Sequence, residues 1–426
     1  MKSRLLTTIA TSCLLSAILP LVRAADWPQW RGIHRDGTSA ETGLLKQWPL
    51  GGPKLVWQVS DIGDGYSTPS VVGNRIYLMS NRGMDNEFVQ ALSVQDGKPI
   101  WTTRIGNVGN PNQNPPYPKA RSTPTVDGNF IYVMGSDGDL ACLETKSGKI
   151  VWQKNIRKEF GGQPGEWAYA ESPLVDGELV VVTPGGSDAT LVALNKKNGA
   201  LVWKSAVPGG DPAGYASAIV VQAGGRKQYV QLLSKGLVGV DAKTGQFLWR
   251  YSEVAKGPAQ YFTPVARGEF VYGGALGIGG GMVRLTSAPN GVSAEQVYFV
   301  RGLPNGIGGA VLVGDVLYGT EVGQKLVAAE FATGKVKWQA PDFGWGSIAY
   351  ADGSLYVHLI SGDMVLVQES GDAFLEKGRF TPPAQPKHAK MGDFGEEAFS
   401  YPVIANGRLY IRDLGTLWAY DIQASK

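Results

Sequence analysis

Val240-Asp241-Ala242-Lys243-Thr244-Gly245-Gln246-Phe247-Leu248-Trp249 is one copy of a unit that the chain repeats. Its second half returns as Gly97-Lys98-Pro99-Ile100-Trp101, Gly148-Lys149-Ile150-Val151-Trp152, Gly199-Ala200-Leu201-Val202-Trp203 and Gly334-Lys335-Val336-Lys337-Trp338. From Trp57, the tryptophans at 101, 152, 203 and 249 follow at intervals of 44, 51, 51 and 46 residues, with a degenerate mark at Phe299 before Trp338. A period of that size fits one four-stranded propeller blade.

Upstream of each tryptophan lies a second recurring signal. Ser67-Thr68-Pro69, Ser122-Thr123-Pro124 and Glu171-Ser172-Pro173 each open a short alternating strand, a glycine turn and a second strand, which reads as a hairpin. Weaker copies begin at Ala216-Ser217-Ala218, Phe262-Thr263-Pro264, Gly308-Gly309-Ala310, Gly346-Ser347-Ile348 and Ser400-Tyr401-Pro402, so the expected first strands number eight. The eighth unit stops at Leu417-Trp418-Ala419-Tyr420-Asp421, while Leu55-Val56-Trp57-Gln58 is an orphan fourth strand. Pairing the two fragments closes the ring and hides its edge. The fold class expected is all-β, an eight-bladed propeller over 54–426 closed by an N-terminal strand. In Thr244-Gly245 and Thr333-Gly334 the glycine supplies a positive φ, and each following tryptophan is expected to dock on the neighbouring blade.

Composition agrees with many short strands. Gly 58 and Pro 25 accompany only 18% charged residues, and no segment keeps a helical period. Lys2 and Arg4, an uncharged stretch from Leu5 to Val22 and then Arg23-Ala24 read as a secretory leader over 1–24, followed by an N-terminal extension over 25–53. An uncleaved anchor is the other reading of that stretch. Ala10-Thr11-Ser12 is a poor lipidation context for Cys13. Without Lys2, Arg4 and Arg23 the basic residues fall from 40 to 37 and equal the 37 acidic ones, which removes the drive for nucleic-acid binding. The expected location is the periplasm or the exterior, as a monomer. Cys142 is then the one remaining cysteine; its neighbours Leu140, Ala141 and Leu143 mark it as buried and inert.

The unit ending in Thr244-Gly245-Gln246-Phe247-Leu248-Trp249 resembles the repeat of pyrroloquinoline-quinone dehydrogenases, and it is similar to that of the propeller lipoprotein of the outer-membrane barrel-assembly machinery. Asp26-Trp27-Pro28-Gln29-Trp30-Arg31-Gly32 followed by Arg35-Asp36-Gly37 looks like the opening of exported propeller-repeat proteins of this kind. For the dehydrogenases the resemblance implies a quinone beneath a disulfide of adjacent cysteines, calcium held by Glu, Asn and Asp, and an Asp base. This chain has no Cys-Cys pair and no Cys-x-x-Cys-His. It also implies histidines on blades six and eight, where Pro304 to Gly309 and Phe399 to Pro402 contain none.

Other chemistry leaves little trace. His34, His358 and His388 have no metal-ligand spacing, Gly277 to Gly281 lies between strands, and Ser136-Asp137-Gly138-Asp139 reads as a hairpin turn rather than a calcium loop. No metal and no catalytic residue are expected. The residues that lead into the first strands gather at one end of a propeller channel, the default place for a ligand. At that register stand Tyr66, Arg121, Glu171, Tyr215, Tyr261, Asn305, Trp345 and Tyr401, with Asp64 and Trp167 nearby. Tyr66, Arg121, Glu171, Tyr215, Trp345 and Tyr401 are the candidate ligand-binding set, suited to a protein or carbohydrate partner. Arg121 and Glu171 are expected to neutralise each other. A non-catalytic binding scaffold is the first reading, without cofactor; the alternative is a minimal oxidoreductase for an alcohol or sugar, using pyrroloquinoline quinone with calcium.

Overall fold

A computed structural model describes residues 25–109, 118–255, 259–289, 291–388, 390–391, 394–395 and 397–424. The leader read over 1–24 lies outside them. Eight antiparallel sheets follow one another around a ring, with inner strands Ser70–Val72, Thr125–Asp127, Leu174–Asp176, Ile219–Ala223, Val265–Arg267, Ala310–Val313, Gly346–Ala351 and Val403–Ala405. Among the described residues helix is confined to Ile156–Glu159 and a 3₁₀ turn at Glu253–Ala255. Lys54–Val59 pairs antiparallel with Thr416–Asp421, placing Leu55 opposite Tyr420 and Trp57 opposite Ala419. The orphan strand therefore closes blade eight.

What joins one blade to the next is visible in the outer strands. Seven of the eight carry an extra, bulged residue just before an aromatic, namely Val56, Ile100, Val151, Val202, Leu248, Val297 and Lys337, and in blade seven the bulge at Lys377 precedes Gly378 instead. A bulge bends and twists its strand, and the aromatic that follows reaches the next blade. The Nε1 of Trp57, Trp101, Trp152 and Trp203 donates to the carbonyl of Val94, Thr145, Lys196 and Ala242, at 2.9, 3.0, 2.9 and 3.2 Å. Under these rings lie the turn glycines. Gly245 has φ +74°, and a Cβ there would sit 2.6 Å from the Trp203 ring, so the Thr-Gly turn serves both its own bend and its neighbour's tryptophan.

Two marks differ from expectation. In blade five the bulge at Val297 puts Tyr298, not Phe299, in the tryptophan register, and Tyr298 Oη donates to Phe331 O at 2.8 Å. Trp249 turns back into its own blade and donates to Gln228 Oε1 at 2.6 Å, because blade five's outer hairpin is extended, with strands Gly279–Ala288 and Gly291–Val300.

At the inner end the Ser/Thr-Pro signal has a second use. Thr123 N donates to Ser172 Oγ, Ser172 N to Ser217 Oγ and Tyr401 N to Thr68 Oγ1, at 2.9, 2.9 and 3.0 Å. These hydroxyls link blade two to three, three to four and eight to one, where inner strands are too divergent to pair with each other.

Residues 25–53 are built into the ring. Trp27 exchanges backbone hydrogen bonds with Val71 of blade one, and Pro28 O accepts from Val126 of blade two. Trp30 Nε1 donates to Thr263 of blade five at 2.9 Å. Arg35 reaches Ser172 O and Pro173 O of blade three, and Arg31 reaches Ala310 O of blade six. Thr38–Ser39 then pairs in parallel with Tyr350 and Ala351 of blade seven, and Ser39 Oγ reaches Ile404 O of blade eight. The segment crosses the channel and ties seven blades together through these named bonds.

Candidate functional site

All inner strands start from one face, so the residues before them ring the channel mouth there. Three of the expected set come together. The Arg121 guanidinium lies over the Tyr66 ring at 5.2 Å, and Arg121 interacts electrostatically with both Tyr66 and Tyr215. Burial lowers the Arg121 pKa, opposed by Tyr66, Tyr215 and Glu87. Trp167 packs against Tyr215 at 5.3 Å, and its N–H meets Tyr215 Oη at 3.4 Å. Phe399 stands edge-on to Tyr66 at 5.1 Å. Asp64 is exposed and pairs with Lys119 at 2.8 Å. Trp345, half-buried on blade seven, donates to Val322 O at 3.0 Å.

Glu171 and Tyr401 belong elsewhere. Glu171 is buried: Oε1 accepts from Thr183 N, while Oε2 accepts from Thr183 Oγ1 at 2.8 Å and Gln231 Nε2 at 3.1 Å. Burial pushes its carboxyl up to about 7, against Thr183's hydrogen bonds and the positive charge of Arg35. The expected Arg121–Glu171 pair is therefore corrected: the cation that acts on Glu171 is Arg35, from the channel-crossing segment. Tyr401 is buried under that segment as well, with Trp30 edge-on at 4.7 Å and its hydroxyl donating to Ile307 O at 3.1 Å. Asn305 is buried and accepts from Val322 N at 3.2 Å. The half-buried Tyr261 turns its hydroxyl into the interior.

Sequence reasoning missed Phe399 and Glu87. Phe399 adjoins Ser400-Tyr401-Pro402, so its position in the repeat was available. Glu87, wholly buried behind Arg121, accepts from Ser136 N and Oγ at 2.8 and 2.7 Å. Burial pushes it up to about 8, Ser136 opposes, and Asp139 adds to the rise. Nothing in Asn86-Glu87-Phe88 distinguishes this carboxylate from an exposed one. Cys142 is buried as expected, and burial raises its thiol to about 11.

Two clefts, of about 410 and 350 Å³, lie away from the mouth. The larger is lined by Lys54, Asn406, Arg408 and Asp421 at the closing blade, the smaller by Glu330, Lys335, Lys337 and Asp372 between blades six and seven. Neither gathers buried or aromatic groups. The mouth does, on rigid hairpins, and it is the stronger candidate.

Among the described residues no group of three His, Cys, Asp or Glu is arranged to hold a metal. Both Glu171 oxygens and Asn305 Oδ1 accept hydrogen bonds from within the chain, and Cys142 is packed in a core cluster shared by blades two and three. Nor is any helix of the described residues long and apolar enough to cross a membrane.

Residues 85–340 match a family model described as outer membrane protein assembly factor BamB. Among curated relatives, tetrathionate hydrolase of Acidithiobacillus ferrooxidans is 25% identical over 52% of this chain and 48% of its own length. BamB of Salmonella typhimurium is 26% identical over 28% of each, and quinoprotein alcohol dehydrogenase PedH of Pseudomonas putida is 24% identical over 34% of this chain and 23% of its own. The chain thus spans about half the length or less of these relatives. Among solved structures, BamB from Moraxella catarrhalis superposes with a TM-score of 0.61 at 14% identity, covering 87% of this chain and 98% of that one. A quinohemoprotein alcohol dehydrogenase from Pseudomonas putida gives 0.54 at 14% identity, over 94% and 81%. These likenesses establish the fold, and because the family model covers more than half of the sequence, the chain belongs to the BamB-type family of PQQ-like repeat propellers.

Proposed function

We propose that this protein is an exported, non-catalytic binding propeller that presents its channel mouth to a protein or carbohydrate partner. One observation supports the reading: Arg121 lies over Tyr66 and interacts electrostatically with Tyr215, with Phe399 against Tyr66 and Trp167 against Tyr215, on segments outside the strands whose side chains no strand pairing requires. Aromatic faces with one guanidinium suit both a sugar ring and a protein hot spot. The relatives named as outer membrane protein assembly factors favour a protein partner and the periplasm, and near-neutral charge without the leader favours neither nucleic acid nor an anionic surface. The protein acts as a monomer without cofactor.

The quinoprotein reading rests on the PedH and dehydrogenase likenesses, and one experiment separates the two. Purified protein is incubated with pyrroloquinoline quinone and calcium, and its spectrum and dye reduction are recorded with a panel of alcohols and sugars. The scaffold gives no quinone spectrum after gel filtration and no dye reduction. A retained quinone with substrate-dependent dye reduction overturns the proposal.

A further inference from the structure

Among the described residues three arginines are buried, and their surroundings differ. Arg412 uses its whole guanidinium: Nε donates to Leu414 O, Nη1 to Ser67 O and Met79 O, and Nη2 to Gly63 O and Ser80 Oγ, at 2.7–3.2 Å. Arg35 bonds two carbonyls and the Gln29 side chain, and Glu171 acts on it as the compensating charge. Arg31 is as deeply buried as these, yet only its Nη2 is used, toward Ala310 O and Asp36 O. Its Nε and Nη1 have no hydrogen-bond partner, and no ion pair joins it to a carboxylate among the described residues.

The surroundings of Arg31 are those of a cradle. Its guanidinium lies over the Tyr401 ring at 5.4 Å and acts electrostatically on the Tyr401 hydroxyl. A Cβ on Gly309 would come 2.7 Å from Nη1 and 3.2 Å from Tyr401 Oη, and one on Gly37 would come 2.7 Å from Nη2. Both positions are held by glycine. Tyr261, which interacts electrostatically with Tyr401, has a buried hydroxyl that likewise lacks a partner. A buried cation with unused N–H groups and no counter-charge is costly, and donors around one cation select an anion.

We propose that Arg31, with the Tyr261 hydroxyl, holds a small anion of the halide or carboxylate class inside the channel, beneath the mouth. The anion supplies the missing charge and accepts from Nε and Nη1, as Glu171 compensates Arg35. Arg31 and Tyr401 are buried, so the ion is a small resident one, distinct from any partner at the mouth.

The test is thermal unfolding at constant ionic strength in a bulky-anion salt, titrated with chloride, bromide or formate. The full chain is expected to gain roughly 2–4 °C, saturably, with at least one of these ions. Tyr261→Phe keeps the fold and moves the midpoint of that titration to at least several-fold higher concentration, and Arg31→Met abolishes the response. Should Arg31→Met fail to fold, anomalous scattering from bromide-soaked wild-type crystals decides, with a peak expected within about 3.5 Å of Arg31 Nε or Nη1. No ion-specific shift and no such peak overturn the proposal, and leave water as the partner of these atoms.

Discussion

The seam between blades three and four and the seam between blades four and five begin from the same sequence mark and end differently. At the first, Trp203 leaves its own sheet, packs on Gly245 and donates to Ala242 O of the next blade. At the second, Trp249 stays at home on Gln228. Blade five has no Thr-Gly turn for it; the extended hairpin lies against blade four instead, with Val292 beside Gly224. A tryptophan's docking is thus decided by the turn of the following blade, one repeat away, and not by its own unit.

The largest effect is expected at the regular seam. Trp203→Ala removes a buried aromatic that spans two blades, and it should lower the unfolding free energy by roughly 3–5 kcal/mol, read from denaturant melts. A loss under about 1 kcal/mol would mean that the Ser/Thr ring at the channel, rather than the outer tryptophans, holds the blades together.

The seam between blades one and two tests the same idea from its polar end. Glu87 bonds Ser136 across it, and its carboxyl is pushed up to about 8 from 4.5. The folded state then binds the proton more tightly than the unfolded one. The stability this contributes is fully present below about pH 4.5 and is lost as pH rises through about 8. Glu87→Gln should flatten that fall and be more stable than wild type at pH 9 by roughly 2–4 kcal/mol, while matching it near pH 5. Paired melts at the two pH values check the sign.

A smaller change is expected at the irregular seam. Gln228→Leu leaves Trp249 Nε1 buried without an acceptor, a loss of about 1–3 kcal/mol. Adding Trp249→Phe should recover most of it, since neither polar group then remains. No recovery would show that Trp249 contributes by shape alone.

These seams also mark what could be read in advance. The blade count, the closing strand and the docking of Trp57, Trp101, Trp152 and Trp203 were legible, because a repeat states the same local chemistry many times. Tyr298 was read one residue late, because the bulge at Val297 moves the register and a bulge has no residue signature of its own. The channel-crossing segment was not legible at all. Asp26 to Gly37 occurs once, without period, and it is this segment that draws Glu171 toward Arg35 and covers Tyr401 with Trp30. Of the six candidate mouth residues, Glu171 and Tyr401 are the two that this segment reaches, while Tyr66 is buried beside Phe399 and Arg121.

That division sets the last expectation, the one with the smallest cost in stability. Arg121 and Trp345 are half-buried at the mouth, ahead of the inner strands, and no strand pairing depends on either side chain. Trp345 has one hydrogen bond, to Val322 O. Arg121→Ala with Trp345→Ala should therefore shift stability by no more than about 1 kcal/mol, while partner binding, measured by calorimetry, weakens at least tenfold, as loss of an arginine–aromatic hot spot does. The contrast with Trp203 is the point of the test: an outer-strand aromatic costs fold and spares binding of the surviving folded protein, whereas a mouth aromatic does the reverse. A double variant that binds at full affinity would move the partner to the blade circumference, where the bulged Val56, Ile100, Val151 and Val202 are exposed on consecutive blades. Such a partner would have to follow the curve of the ring, because side chains on successive blades point outward in different directions and no flat surface can meet all four.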